Sequence, residues 1–226
     1  FECGFWMGDY VDASQMTYTD GMVIENARIR NNFADGVNFA QGTANSAVRN
    51  SSVRGNGDDG LASWSSIDTS TNSQARVAEA NSFVGNTIEL GWRASGIGIF
   101  GGKSHAIRDN LLVNNFSGAG IRLNTVFDGH NFDLNTDGGI TIAHNKLVRS
   151  GTTNDFYGNT RGAIDFREVK GTFATSPPPT MSLFAPTLRR SAPTLASARV
   201  LCLPAASRCA ITSVTTRPAT LPRAKS

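Results

Sequence analysis

Along residues 21–170 the apolar positions come in short alternating runs, with no long apolar blocks and no helical stripes. Alternation at every second residue is the period of a strand, and Gly or Asn closes each run too early for a helix. Five segments follow one plan. Asn26-Ala27-Arg28-Ile29 leads to Asp35-Gly36-Val37-Asn38-Phe39, and Asn50-Ser51-Ser52-Val53 leads to Asp59-Gly60-Leu61-Ala62-Ser63-Trp64. Asn81 to Val84 leads to Gly96-Ile97-Gly98-Ile99, Asn110 to Val113 leads to Gly120-Ile121-Arg122-Leu123, and Asn145 to Val148 leads to Gly162-Ala163-Ile164-Asp165-Phe166. The leading asparagines stand 24, 31, 29 and 35 residues apart. Short strands at this period, without helices between them, predict an all-β fold, a right-handed parallel β-helix or solenoid. A β-propeller would need four strands per unit. Stacked coils lie about 4.8 Å apart, so inward Val, Ile, Leu and Phe form columns and turn asparagines meet their counterparts above and below.

Composition divides the chain near Gly171. All 18 acidic residues, all 23 glycines and all 19 asparagines precede residue 172, and all eight prolines follow it. The first part carries a net charge of −4 and the last 55 residues +7, together the chain's +3. Residues 1–170 are expected to be part of a β-helix domain. Residues 171–226 form a Pro/Ala/Arg-rich tail without coil pattern, expected to be disordered and not to join the core. So abrupt a loss of four residue types is what translation in another frame, starting near Lys170-Gly171, would produce. The chain opens Phe1-Glu2-Cys3, with no initiator Met or signal segment, and reads as an internal fragment. Cys3, Cys202 and Cys209 suggest no disulfide framework. No apolar run approaches the ~18 residues of a membrane span. The basic tail lacks the aromatic interleaving of a nucleic-acid binder.

Three carboxylates stand out. Asp35 and Asp59 are 24 residues apart at equivalent places in consecutive repeats, and Asp58 adjoins Asp59. A β-helix brings all three to one face, where close like charges raise the pKa of at least one. A protonated acid beside ionised ones is what glycoside hydrolysis needs, and an inverting pair stands roughly 6.5–9.5 Å apart. Asp-Gly is also ordinary turn chemistry, as at Asp137-Gly138. Clustered acids also bind calcium, so a structural calcium stays open; no other metal or cofactor is called for. Gly96-Ile97-Gly98-Ile99-Phe100-Gly101 matches a dinucleotide fingerprint by letters, but no helix follows it.

The runs Asn31-Asn32-Phe33-Ala34-Asp35-Gly36-Val37-Asn38-Phe39 and Asn56-Gly57-Asp58-Asp59-Gly60-Leu61-Ala62-Ser63-Trp64 resemble the catalytic core of family 87 glycoside hydrolases, the α-1,3-glucanases and mycodextranases. The opening Gly4-Phe5-Trp6-Met7-Gly8-Asp9-Tyr10 is similar as well. The resemblance covers residues 1–170. It implies a secreted, inverting hydrolase of α-1,3-glucan or nigeran, working as a monomer, with Asp35, Asp58 and Asp59 catalytic. Asp59 or Asp58 is then expected as the general acid and the others as activators of water. Dextranases and polygalacturonases share the one-plus-two aspartate pattern, but the Gly-His-Gly motif of the latter is absent, with Gly101-Gly102-Lys103-Ser104-His105 in its region. Trp64, Trp92, Arg93, Lys103 and His105 are candidate sugar contacts; Trp64 and His105 also suit the protein interior. His130 and His144 suggest no metal site. A polysaccharide-binding or adhesin-like β-helix is the non-enzymatic alternative. A lyase ranks lowest, because the repeat alignment sets no basic residue at the coil position of the acids.

Overall fold

The computed structural model describes residues 1–8, 18–65, 76–126, 131–133, 139–152 and 154–167, with the backbone of four later strands, Phe173–Ala174, Thr180–Leu183, Thr194–Cys202 and Cys209–Pro218. Asp9, Tyr10, His130, Asp137 and Gly138 lie outside the described residues. All regular structure described is β. The chain passes through three short strands per coil, each paired in parallel with its counterpart in the next coil, which makes a parallel β-helix. The first sheet stacks Val23–Glu25, Ala47–Arg49, Ser82–Val84, Ala106–Arg108 and Thr141–Ala143. The second stacks Arg28–Arg30, Ser52–Arg54, Thr87–Glu89, Leu111–Val113 and Lys146–Val148. The third stacks Phe5–Met7, Val37–Phe39, Leu61–Trp64, Ile97–Phe100, Ile121–Asn124 and Ile164–Arg167.

The core is a set of columns. The first sheet sends in Ile24, Val48, Phe83, Ile107 and Ile142, and the second Ile29, Val53, Ile88, Leu112 and Leu147. The third supplies two side chains per coil, among them Val37 with Phe39, Ile97 with Ile99 and Ile121 with Leu123. Phe39 stacks on Phe83 across the interior at 5.6 Å. Fully burying one such side chain contributes about 1.5–3 kcal/mol, and a three-residue strand holds in place only because its coil neighbours bury theirs too.

Three corners per coil turn the chain, and each uses a residue at positive φ. At the corner between the first and second sheets these are Asn26, Asn50, Gly85, Asp109 and His144; between the second and third they are Asn31, Gly55, Leu90, Asn114 and Arg149. Asn reaches this left-handed region at lower cost than most residues. The next residue at the first of these corners holds a ladder. The Ser51 N–H donates to Asn86 Oδ1 at 3.0 Å, the Asn86 N–H to Asn110 Oδ1 at 2.9 Å and the Asn110 N–H to Asn145 Oδ1 at 3.0 Å. Asparagine thus plays two parts one residue apart, and letters alone misphase them. Asn26 and Asn50 are turn residues, Asn86, Asn110 and Asn145 are ladder residues, and Asn81 belongs one corner earlier. Strand register gives true coil steps of 24, 35, 24 and 35 residues through Arg28, Ser52, Thr87, Leu111 and Lys146.

Beyond the fifth coil the pattern stops. Thr180–Leu183 meets the first sheet through one parallel pair, Ile142 with Leu183, and then pairs antiparallel with Thr194–Cys202. That strand pairs antiparallel with Cys209–Pro218. Hairpin-like pairing does not continue a parallel solenoid, so these strands depart from the coil plan.

Candidate active site

The outward face of the third sheet carries Trp6, Asn38, Trp64, Phe100, Arg122 and Asp165, the complement of its apolar inner columns. At the edge where the chain enters this sheet, Asp35 and Asp59 each stand two residues before paired strand starts, Val37 and Leu61. Asp58 precedes Asp59, and one oxygen from each of the three carboxyls lies within 4.8 Å of the others. The clustering expected from the 24-residue spacing is therefore present. Its spacing is tighter than the roughly 6.5–9.5 Å of a typical inverting pair.

The three acids differ in surroundings. Asp58 is the most open, its side chain 35% exposed, and Arg93 Nη2 pairs with its Oδ2 at 3.0 Å. Asp35 is buried; its Oδ2 accepts from Asn38 Nδ2 at 2.8 Å, and Cys3 Sγ stands 4.0 Å away. Burial first, and the Asp58 charge second, push the Asp35 carboxyl up to about 7. Asp59 is also buried, and its Oδ1 accepts the Ser95 N–H at 2.7 Å. Burial, then Asp58 and Asp35, raise it well above the ordinary carboxylate range, against the pull of Arg122. The site thus combines an ion-paired carboxylate with two proton-retaining carboxyls. Calcium takes six to eight oxygen ligands; the three aspartates offer one oxygen each within 4.8 Å, with Arg93 already paired to Asp58.

Small residues make room for this arrangement. On the outward face Gly98 follows Asn38 and Ala62 in register and precedes Arg122. A Cβ on Gly98 would lie 2.3 Å from Asp59 Oδ2, so that oxygen occupies the space a side chain would fill. The Gly-Ile-Gly-Ile run, whose letters match a dinucleotide fingerprint, instead seats an acid.

The sugar-contact candidates separate. Trp92 is exposed, T-shaped against Phe33 at 6.3 Å, at the same edge as the acids. Arg93 is engaged with Asp58 and lies 5.4 Å over the Phe33 ring. It stands opposite Asp58 at the same 35-residue step as the first two sheets; the extra residue that makes the third-strand step 36 follows it, so an alignment made on Gly60 and Gly96 misplaces it. Trp64 is 8% exposed; its Nε1 donates to Asn38 Oδ1 at 2.7 Å, so it braces the residue that binds Asp35. Lys103 sits past the far end of the strand, paired with Glu79 at 3.2 Å. His105 corrects the expectation of a sugar contact. It is 1% exposed, and its Nδ1 accepts the Asn81 N–H at 3.2 Å, the place Asn81 Oδ1 fills toward Ser46. An imidazole there continues the corner ladder and faces away from the outer surface. Asn38, Ser95, Gly98 and Arg122 were not legible beforehand, because their roles depend on register across coils.

The family profile of the α-1,3-glucanase catalytic domain D2 matches residues 1–174. The chain belongs to this α-1,3-glucanase catalytic-domain family. Among solved structures it resembles the Agl-KA catalytic domain at 49% identity and a TM-score of 0.65, over 76% of this chain and 30% of that one. The catalytic unit of the thermostable GH87 α-1,3-glucanase from Streptomyces thermodiastaticus strain HF3-3 is 27% identical at a TM-score of 0.50, over 68% and 29% of the two chains. A GH87 α-1,3-glucanase catalytic domain solved with tetrasaccharides shares the fold at 20% identity and a TM-score of 0.51, covering 72% and 33%. A comparison with functionally curated proteins gave no match. This glucanase-family chain spans about 30% of the length of the solved domains it resembles.

Proposed function

We propose that the chain is the acid-bearing part of a glycoside hydrolase that cleaves α-1,3-glucosidic bonds in α-1,3-glucan or nigeran. The observation that carries this reading is one ion-paired aspartate between two buried, proton-retaining ones, in a chain of the α-1,3-glucanase family. Asp59 is the general acid. Its Oδ1 is anchored on the Ser95 N–H and its Oδ2 lies over Gly98 on the outer face, where it protonates the departing glycosidic oxygen. Asp58, ion-paired with Arg93, takes a proton from the attacking water, which adds to the anomeric carbon as the glycosidic bond breaks. Asp35, buried and itself proton-retaining, is held beside the pair by Asn38 Nδ2 at 2.8 Å. A polymeric substrate fits action outside the cell, and a groove within a single β-helix fits a monomer.

Inversion follows from water attacking directly. The short oxygen separations favour a second reading, retention, with Asp58 as nucleophile, since retaining carboxyls stand about 5–5.5 Å apart. Proton NMR of the first product separates the two: the β-anomer means inversion and the α-anomer retention. Reducing-sugar release from α-1,3-glucan tests the activity itself. Asp58→Asn and Asp59→Asn should each lower the rate by ~10² or more. Near-unmutated release by either variant removes that residue from the mechanism, and glucan retention without new reducing ends supports a binding module instead.

A further inference from the structure

Beside the acids runs a column of exposed aromatic side chains that the bond-cleaving machinery does not use. It begins at Phe33. The Gly57 N–H donates to Asn32 O, the Trp92 N–H to Asn56 O and the Phe116 N–H to Gly91 O, so Phe33, Gly57, Trp92 and Phe116 are successive rungs of one backbone column. The Gly57 rung is bare because the Phe33 carbonyl oxygen takes the place of a Cβ there, and the Trp92 indole lies over it as well, with Cζ2 2.6 Å from that position. In the fifth coil the Phe156 N–H donates to Ser117 Oγ at 2.7 Å, which hangs Phe156 and its neighbour Tyr157 beside the next rung.

These aromatics are 59% (Phe33), 44% (Trp92), 59% (Phe116), 64% (Phe156) and 61% (Tyr157) exposed. The last two are presented rigidly. Asp155 Oδ1 accepts the N–H groups of Tyr157 at 2.9 Å and Asn159 at 2.7 Å, and its Oδ2 pairs with Arg161 Nε at 2.7 Å. Both side chains of that pair are almost wholly buried. A loop anchored in this way around two solvent-facing rings is built to display them, and a contiguous apolar surface of this kind marks a binding site. The stripe follows the axis of the helix for four coil steps, about 19 Å, and passes the residue next to Asp58. Its ligand must be long, thin and linear, with apolar faces at short intervals. A glucan chain fits, because each pyranose ring offers a C–H face to an aromatic ring.

Resting on the glucanase reading, we propose that Phe33, Trp92, Phe116, Phe156 and Tyr157 form a polysaccharide track that holds an α-glucan chain parallel to the helix axis and feeds it to the aspartates from the fifth-coil side. The test uses the full chain carrying Asp59→Asn, so that binding is read without cleavage. The probes are insoluble α-1,3-glucan, by co-sedimentation, and nigerose, by calorimetry. Adding Phe156→Ala with Tyr157→Ala should raise the apparent Kd for the polymer about tenfold and leave nigerose binding unchanged. Phe116→Ala should do the same to a lesser degree. Equal polymer binding by variants with unaltered far-UV circular dichroism overturns the track. Loss of self-association in light scattering, with polymer binding intact, assigns the stripe to a protein contact and also overturns it. If the Asp59→Asn chain binds neither probe, the glucanase reading falls and the track with it.

Discussion

Two corners of the same coil use one backbone device for opposite ends. Both turn the chain through a residue at positive φ, five times in register. At the corner between the first and second sheets the following polar side chains are fully spent on one another. Asn110 Oδ1 accepts from the Asn86 N–H and Nδ2, and its own Nδ2 donates to Phe83 O. At the corner between the second and third sheets Asn56 Oδ1 likewise accepts from the Asn32 N–H and Nδ2, but three residues further on the chain buries the carboxyls of Asp35 and Asp59, and burial keeps protons on them. The first arrangement specifies the fold; the second stores electrostatic cost that chemistry can use. The connection lengths follow suit. Between the first and second sheets the chain keeps one length in every coil, whereas the step into the third sheet gains one residue in the third coil and, in the fifth, the Asp155–Arg161 loop.

The sharpest way to break this comparison is to remove a polar group from each corner. Asn110→Ala leaves the Asn86 N–H without its partner in the interior and removes the Asn110 Nδ2 bonds to Phe83 O and Asn145 Oδ1. It should cost about 2–4 kcal/mol of stability in urea unfolding, with activity per folded molecule retained. A loss below about 0.5 kcal/mol would show that the ladder is dispensable.

At the other corner the sign reverses. Asp35 has its carboxyl raised to about 7 in the folded protein, above its ordinary 3.8. Between those values the folded state binds the extra proton, so the folded protein loses stability as pH rises from about 4 to 7. Asp35→Asn removes that loss. The variant should melt several degrees above the unmutated chain at pH 8, roughly 1–2 kcal/mol, and little differently at pH 4, while activity falls. Equal melting temperatures at pH 8 would mean that burial of Asp35 carries no electrostatic cost.

This contrast also explains how far the sequence can be read. The period-two runs and their Gly and Asn stops determine the β-helix, because inward Val, Ile and Phe positions are dictated by local alternation. Asp35, Asp58 and Asp59 were legible because two consecutive coils share a 24-residue step with no insertion. Legibility failed wherever a role depends on the neighbouring coil. Asn81 and Asn86 compete for one phase, and the single extra residue between Arg93 and Ile97 makes an alignment on the third strands set Arg93 against Gly57 instead of Asp58. Gly98 shows its purpose only once Asp59 Oδ2 is seen above it. Phe116, Phe156 and Tyr157 look like unrelated loop residues until the backbone column aligns them.

His105 gives the smallest effect and the finest test. It stands in a ladder whose other acceptors are Ser46 Oγ and Asn81 Oδ1, its Nδ1 accepting the Asn81 N–H, and burial holds its imidazole down at about 4. Below its ordinary 6.5 the unfolded chain takes up a proton that the folded one refuses, so this group withdraws stability as pH falls from 6.5 to 4, the opposite sense to Asp35. His105→Asn offers Oδ1 for the same hydrogen bond without a titrating ring. Stability at pH 8 should change by less than about 1 kcal/mol, glucan hydrolysis should be unaltered, and the acid-side loss between pH 6.5 and 4 should shrink. Reduced hydrolysis at unchanged stability would instead place this imidazole in contact with the sugar, and the separation between a wall that folds and an edge that reacts would no longer hold at this corner.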